Sequence, residues 1–267
     1  MSVLLAPDSR LVIAHRGNSA FAPENTLESL RQGVALGVDA LEFDVHLSRD
    51  GVPVVIHDPT LDRTTGATGN VRDRTAAELQ RVDAGYRFTR DEGRTFPWRG
   101  RGVTISTLDE VVAEFSLVPF ILEIKVGAAS RAVKALLERT GAAARCIVGS
   151  FSDEALRPFR GSGIAHGAAR GDVLRLFARA VLPGGPAALP YQALCIPPFF
   201  NRIPIPVLRF ARMGRSAGVV THVWTVDDPR RARRYWDGGV SGIITNDPSA
   251  ILAAIGRRVP PLTSLPA

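Results

Sequence analysis

Short apolar runs rich in β-branched residues alternate along the chain with longer stretches of amphipathic character. That alternation is expected of βα units around a parallel sheet, so the fold class is α/β. Eight runs read as strands: Leu11 to His15, Ala40 to His46, Phe120 to Lys125, Cys146 to Phe151, Ile164 to Ala168, Ala193 to Pro197, His222 to Val226 and Gly242 to Thr245. Another strand-like run, Val54 to His57, follows the second strand after a short segment containing the hairpin signal Asp50-Gly51. A parallel crossover needs about a dozen residues or more, so this run must return antiparallel, as an extension of the sheet.

The stretch from Ser48 to Thr104 then forms one excursion, with a short helix at Ala76 to Asp83, and reads as a lid or cap over one end of the sheet. Eight strands with intervening helices in 267 residues favour a (β/α)8 TIM barrel as a single domain, with a small insertion after the second strand. Arg257 to Ala267 reads as a loose tail. An open dinucleotide-binding sheet is disfavoured, because no G-x-G-x-x-G follows a strand and no G-x-x-x-x-G-K-[ST] loop occurs.

Composition narrows the picture. With 45% hydrophobic and 22% charged residues, disorder and fibres are excluded. The two cysteines, Cys146 and Cys195, are too few for a disulfide framework or a thiolate zinc cluster, and two buried free thiols are expected. The net charge of +7 is carried almost wholly by arginine, Lys125 and Lys134 being the only lysines. Such a charge attracts anionic partners, whether phosphate esters or lipid surfaces, while nucleic acid is disfavoured because no binding motif accompanies it. Arg230, Arg231, Arg233 and Arg234 read as a solvated helix face. The uncharged stretch Ala180 to Asn201 is interrupted by Pro183, Pro186, Pro190, Pro197 and Pro198, so a transmembrane segment is rejected. The N-terminus lacks the pattern of a cleaved signal, and a cytoplasmic enzyme is expected.

In a barrel, reactive groups gather at the C-terminal ends of strands. Here His15 and Arg16 close the first strand, Glu42 and Asp44 lie in the second, Glu123 and Lys125 in the third, and His57 ends the return strand. Alternation puts Glu42 and Asp44 on one face, with Cα atoms about 6.6 Å apart, and does the same for Glu123 and Lys125. Three acids aimed into one barrel mouth make a hard oxygen site for Mg²⁺ or Ca²⁺. The two histidines beside them suggest an acid and base pair.

The ordered runs Ile13-Ala14-His15-Arg16-Gly17, Pro23-Glu24-Asn25-Thr26, Glu42-Phe43-Asp44-Val45, Val54-Val55-Ile56-His57-Asp58, Leu61-Asp62-Arg63-Thr64-Thr65, Thr107-Leu108-Asp109-Glu110, Leu122-Glu123-Ile124-Lys125, Val223-Trp224-Thr225-Val226 and Gly242-Ile243-Ile244-Thr245 resemble the glycerophosphodiester phosphodiesterase family. The resemblance implies a metal-dependent barrel enzyme that hydrolyses glycerophosphodiesters to sn-glycerol 3-phosphate and an alcohol. By that resemblance Glu42, Asp44 and Glu123 hold the divalent cation, and His15 and His57 are the acid and base, in an order left open. Arg16 and Lys125 contact the phosphate, and Trp224 packs near the glycerol end of the substrate. Two departures stand out, Ser106 where proline is common and Asn246 where aspartate is frequent; both fall in connecting segments and leave the assigned roles intact.

Two rivals compete. A lysophospholipase D acting on single-chain glycerophospholipids would use the same metal and histidines, with Ala180 to Asn201 lining an acyl groove or resting on a lipid surface; a buried strand flanked by a proline-rich loop is the favoured reading of that stretch. A noncatalytic phosphate-ester binding protein on the same barrel is the other.

Overall fold

The computed structural model describes residues 2–181 and 188–262. Strands β1 (Leu11–His15), β2 (Ala40–Leu47), β3 (Pro53–Val55), β4 (Phe120–Ile124), β5 (Cys146–Gly149), β6 (Ala193–Ile196), β7 (Phe199–Phe200), β8 (Ile203–Pro204), β9 (Val220–Val223) and β10 (Gly242–Thr245) alternate with helices. The helices are α1 (Leu27–Ala35), α2 (Ala76–Leu79), α3 (Leu108–Glu114), α4 (Ser130–Arg139), α5 (Asp153–Leu156), α6 (Arg170–Val181), α7 (Val207–Ser216), α8 (Pro229–Asp237) and α9 (Pro248–Ala254).

Seven strands run parallel in the order β5-β4-β2-β1-β10-β9-β6, with β3 antiparallel against β2. The run Ile164 to Ala168 is not a regular strand. It spans the gap between β5 and β6 through two parallel bridges, Val148 with His166 and Gly167 with Ala193. The eighth barrel position is therefore filled by a minimal segment, and the (β/α)8 architecture is nearly closed. Beyond β2 the chain forms β3, a short 3-10 turn at Val71–Asp73 and α2, packed around a separate apolar cluster that includes Val54, Leu61, Val71 and Leu79. The helix there is one turn, ending four residues before Asp83.

Strand alternation decides what faces inward. Leu11 and Ile13 of β1, Ala40 of β2, Ile121 of β4, Ile147 of β5, Ala193 of β6, Val220 of β9 and Ile244 of β10 share one interior cluster. The opposite parity, including Leu41, Phe43, Val45, Leu122 and Ile124, packs outward beneath the helices. Leu4, from a 3-10 turn at Val3–Leu5, joins the interior cluster, and its carbonyl meets Nε2 of the fully buried His222 at 3.0 Å. Following each inward parity toward the strand C-termini leads from these apolar residues to His15, Glu42, Asp44, Glu123 and Lys125.

Helix starts are fixed locally. Thr26, Thr75 and Thr107 cap α1, α2 and α3 in reciprocal capping boxes, and Asp228 and Asp247 cap α8 and α9, each followed by proline at the first helical position. On α8, Arg230, Arg231, Arg233 and Arg234 are all exposed. Both cysteines are free, Cys146 buried and Cys195 half-buried, and burial pushes each thiol up to about 12.

Of the stretch 180–201, residues 182–187, with Pro183 and Pro186, lie outside the described residues, as do residues 263–267 of the tail. Arg257 pairs with Asp39 at 2.7 Å, and Val259 and Leu262 pack on the core, so the first part of the tail is held against the barrel. Among the described residues, no helix is long and apolar enough to cross a membrane.

Candidate active site

At the end of β1 the backbone turns sharply. Arg16 and Gly17 both adopt positive φ, 55° and 85°. A Cβ on Gly17 would lie 2.4 Å from the Ser29 backbone, so glycine lets β1 approach the first turn of α1. For Arg16 this is a strained conformation, and surrounding contacts hold it: its amide donates to Glu42 Oε2 at 3.1 Å and its guanidinium to Glu24 at 2.8 Å, while Nε lies 3.1 Å from Asp44.

The neighbouring strand β2 carries Glu42 and Asp44 into the same space, both buried, and Glu123 follows from β4, paired in register with Asp44. Carboxylate oxygens of Glu42, Asp44 and Glu123 all lie within 4.8 Å of one another. Lys125 follows directly after β4, and its ammonium bridges two of the acids, 2.9 Å from Asp44 and 2.8 Å from Glu123. Asn25, also at positive φ, clasps Asp44 twice, donating to its carboxylate at 2.9 Å and accepting from its amide at 3.1 Å.

The electrostatics divide the trio. Burial pushes the Glu42 carboxyl well above its ordinary range, and the neighbouring Asp44 and Glu123 charges push it further. Burial also raises Glu123, against the pull of Lys125. For Asp44 burial is outweighed by Lys125 and Arg16, which hold its carboxyl below the usual range. Three converging hard oxygen donors, one of them without a cationic group in hydrogen-bonding contact, fit a divalent cation, which would relieve the repulsion that burial imposes.

The two histidines are held differently. His15 Nδ1 lies 2.6 Å from Asn246 Oδ1, and Nε2 lies 3.9 Å from Glu42. Asn246 donates its own amide group to Asp227 at 2.9 Å, so its oxygen is left to accept from His15, which fixes Nδ1 as the protonated nitrogen. Burial, with Arg16 adding to it, lowers the His15 pKa to about 4. His57 instead sets Nδ1 2.5 Å from Asp58, whose second oxygen accepts from Arg63. Burial works against Asp58, yet the hydrogen bonds from Arg63 and His57 hold its carboxyl down at about 2. Arg63 also grips Glu24 at 2.7 and 2.8 Å, which links the His57 side of the site to Arg16. The His57 carbonyl accepts from buried His46 at 3.0 Å.

His15, Arg16, Glu42, Glu123, Lys125, His57 and Trp224 line one cavity of about 370 Å³, with Asp44 behind them. Trp224 stands just past β9, edge-on to Phe151 at 5.9 Å, on an apolar wall separate from the acids. Seven of the eight sequence-assigned residues thus border the cavity itself, and the eighth is bonded to two of them. Sequence reading did not single out Asn25, Glu24, Asp58 and Arg63, which hydrogen-bond to the assigned residues or to one another, although each lies within a run that carries the family resemblance. Asn246 does lie in the segment connecting β10 to α9, and from there it contacts His15 directly.

The profile of the glycerophosphoryl diester phosphodiesterase family matches residues 15–156 and 165–250. A glycerophosphodiester phosphodiesterase of Caldanaerobacter subterraneus is 34% identical over 256 residues, covering 92% of this chain and 98% of the relative. One of Bacillus subtilis is 30% identical over 265 residues, covering 92% and 86%. Among solved structures, a phosphodiesterase of Oleispira antarctica in complex with its product sn-glycerol 3-phosphate superposes with a TM-score of 0.71 at 27% identity, covering 92% of this chain and 96% of that one. The glycerophosphoryl diester phosphodiesterase domain of a Mycobacterium tuberculosis protein reaches 0.80 at 24% identity, covering 94% and 100%, and shares the fold. With the profile spanning nearly the whole barrel, the chain belongs to the glycerophosphoryl diester phosphodiesterase family, a family of phosphoric diester hydrolases.

Proposed function

We propose that this chain hydrolyses glycerophosphodiesters to sn-glycerol 3-phosphate and an alcohol, with a divalent cation held by Glu42, Asp44 and Glu123. The observation that carries the reading is the convergence of those three carboxylates within 4.8 Å in the cavity that His15 and His57 line. A phosphodiester is a stable monoanion, so its hydrolysis needs the nonbridging oxygens neutralised, the attacking oxygen deprotonated and the departing alkoxide protonated. When bound, Mg²⁺ or Ca²⁺ supplies Lewis-acid polarisation of the phosphoryl group.

The protein's own groups do the rest. Arg16, anchored through Glu24 and Asp44, orients the phosphate. Lys125 offers a second positive charge at the same point. His15, protonated on Nδ1, keeps its Nε2 lone pair toward the site and accepts a proton there. His57, its Nδ1 backed by Asp58, exchanges the other proton through Nε2. Trp224 packs against the glycerol end.

Release of glycerol 3-phosphate from a panel of glycerophosphodiesters, with and without Mg²⁺ or Ca²⁺, tests this reading. Metal-dependent release from at least one member is the expected result. No turnover of any member, with intact binding, would favour a noncatalytic binding protein.

A further inference from the structure

The acids and histidines occupy only one end of the cavity. The remainder is walled by Phe151, Phe177, Leu174, Phe200, Ile203 and Trp224, a surface with no role in handling a phosphate. These side chains form a continuous track. Trp224 meets Phe151 edge-on at 5.9 Å, and Phe151 meets Phe200 at 6.3 Å, leading outward from the site to the hairpin of β7 and β8. That hairpin is built to stand out: Asn201 and Arg202 both take positive φ, as a tight two-residue turn requires, and hold Phe200 against Ile203 in register. Leu174 and Phe177 of α6 line the same cavity.

Exposed apolar side chains are costly to maintain without use, and they concentrate here. Leu174 is 59% exposed and Ile203 60%, and Phe151 and Phe199 are exposed beside them. Arg170 lies over the Phe200 ring at 5.5 Å.

From this continuity between a phosphodiester-cleaving end and an apolar, largely aromatic end we infer that the cavity takes glycerophosphodiesters carrying one acyl chain on the glycerol, that is, lysophospholipids. The inference rests on the diesterase reading above. The glycerol sits beside Trp224, the acyl chain follows the Phe151–Phe200 track between α6 and the hairpin, and the headgroup faces away from the track. In the reaction a water oxygen bonds to phosphorus and the P–O bond to the headgroup alcohol breaks. The proton lost by water is balanced by the one gained by the leaving oxygen, and lysophosphatidic acid is the phosphate product.

The test compares glycerophosphocholine with 1-octanoyl-glycerophosphocholine, kept below its micelle concentration so that no lipid surface exists. A kcat/KM at least tenfold higher for the acylated substrate is expected. Leu174→Glu and Ile203→Glu, both at exposed positions that tolerate charge without unfolding, are expected to bring the ratio of the two substrates to within about twofold of unity. Equal kcat/KM in the wild type, or a preference that emerges only above the micelle concentration, would overturn the groove while leaving the diesterase reading standing. Calorimetry on the His57→Ala variant reads chain binding with turnover slowed by about two to four orders of magnitude. There, monomeric octanoyl ligand is expected to bind at least tenfold tighter than glycerophosphocholine, and equal affinity would overturn the inference whatever the turnover data show.

Discussion

His15 donates its Nδ1 hydrogen to Asn246 Oδ1 across 2.6 Å, at the point where β1 and β10 end side by side. The amide cannot turn over without facing its oxygen to the Asp227 carboxylate, so the imidazole is held in one tautomer by a neutral partner. Asn246→Ala is expected to lower kcat by about ten- to a hundredfold through loss of ring orientation, with the fold intact by circular dichroism. Asn246→Asp keeps an acceptor and adds a negative charge, which favours the imidazolium. The acid limb of the kcat/KM–pH profile should then move to higher pH, by about one unit. An unchanged profile in Asn246→Asp would separate Asn246 from His15 function.

The second histidine has a carboxylate behind it in place of an amide. His15→Ala and His57→Ala are each expected to lower turnover by about two to four orders of magnitude. Asp58→Asn, which leaves His57 in place but withdraws the charge at Nδ1, should cost less than His57→Ala and weaken the grip of Arg63 as well. Single-turnover kinetics on folded variants measure both. Wild-type rates in His57→Ala would remove it from the proton-transfer roles.

Lys125 bridges Asp44 and Glu123, so it neutralises in part the same carboxylates proposed to hold the cation. A strong chelator is expected to abolish activity, and Mg²⁺ or Ca²⁺ to restore it. Because a ligand that binds only the native state stabilises it, by about 2.7 kcal/mol at a hundred times its Kd, the same titration should raise Tm. Glu42→Gln and Glu123→Gln should each blunt that rise. Full activity in metal-stripped protein, with no metal-dependent change in Tm, would take the cation out of the site.

Much of this was legible in the chain because strand parity is a local property. Once Ile13, Ala40 and Ile121 are inward, His15, Glu42, Asp44, Glu123 and Lys125 must be inward too, whatever the loops do. The failures follow from what is not local. Ile164 to Ala168 carries strand-like residues, yet only two bridges form there, because pairing depends on how far apart β5 and β6 stand when the barrel closes. Asn246 and Arg63 reach the histidine system only through tertiary placement, Arg63 from a loop and Asn246 from just past β10. No spacing rule announces such a partner, although Asp58, adjacent to His57, was open to suspicion. The apolar stretch before Asn201 divides likewise: Ala193–Ile196 is the expected buried strand, while Phe200 beyond it lines the cavity.

The opposite end of the barrel holds a titrating group with no part in the chemistry. His222 is fully buried, its Nε2 donating to the Leu4 carbonyl and its Nδ1 without a hydrogen-bond partner among the described residues. Its ring fits because position 242 is glycine: a Cβ there would lie 2.3 Å from Nδ1. Burial lowers its pKa from 6.5 to about 4. A histidine with a depressed native pKa binds its proton more readily when unfolded, so its contribution is whole above about 6.5 and is lost as pH falls toward 4. The gap between the unfolded and native values corresponds to a loss of about 2 kcal/mol by pH 5 and about 3 kcal/mol by pH 4. Urea unfolding at pH 7.5, 5.5 and 4.5 should therefore show a steeper decline for the wild type than for His222→Leu, which removes the proton site while keeping an apolar side chain. Gly242→Ala should lower stability at every pH by about 1–3 kcal/mol through overpacking. Parallel pH dependences for wild type and His222→Leu would mean that the decline over this range originates in another buried histidine of depressed pKa, such as His15.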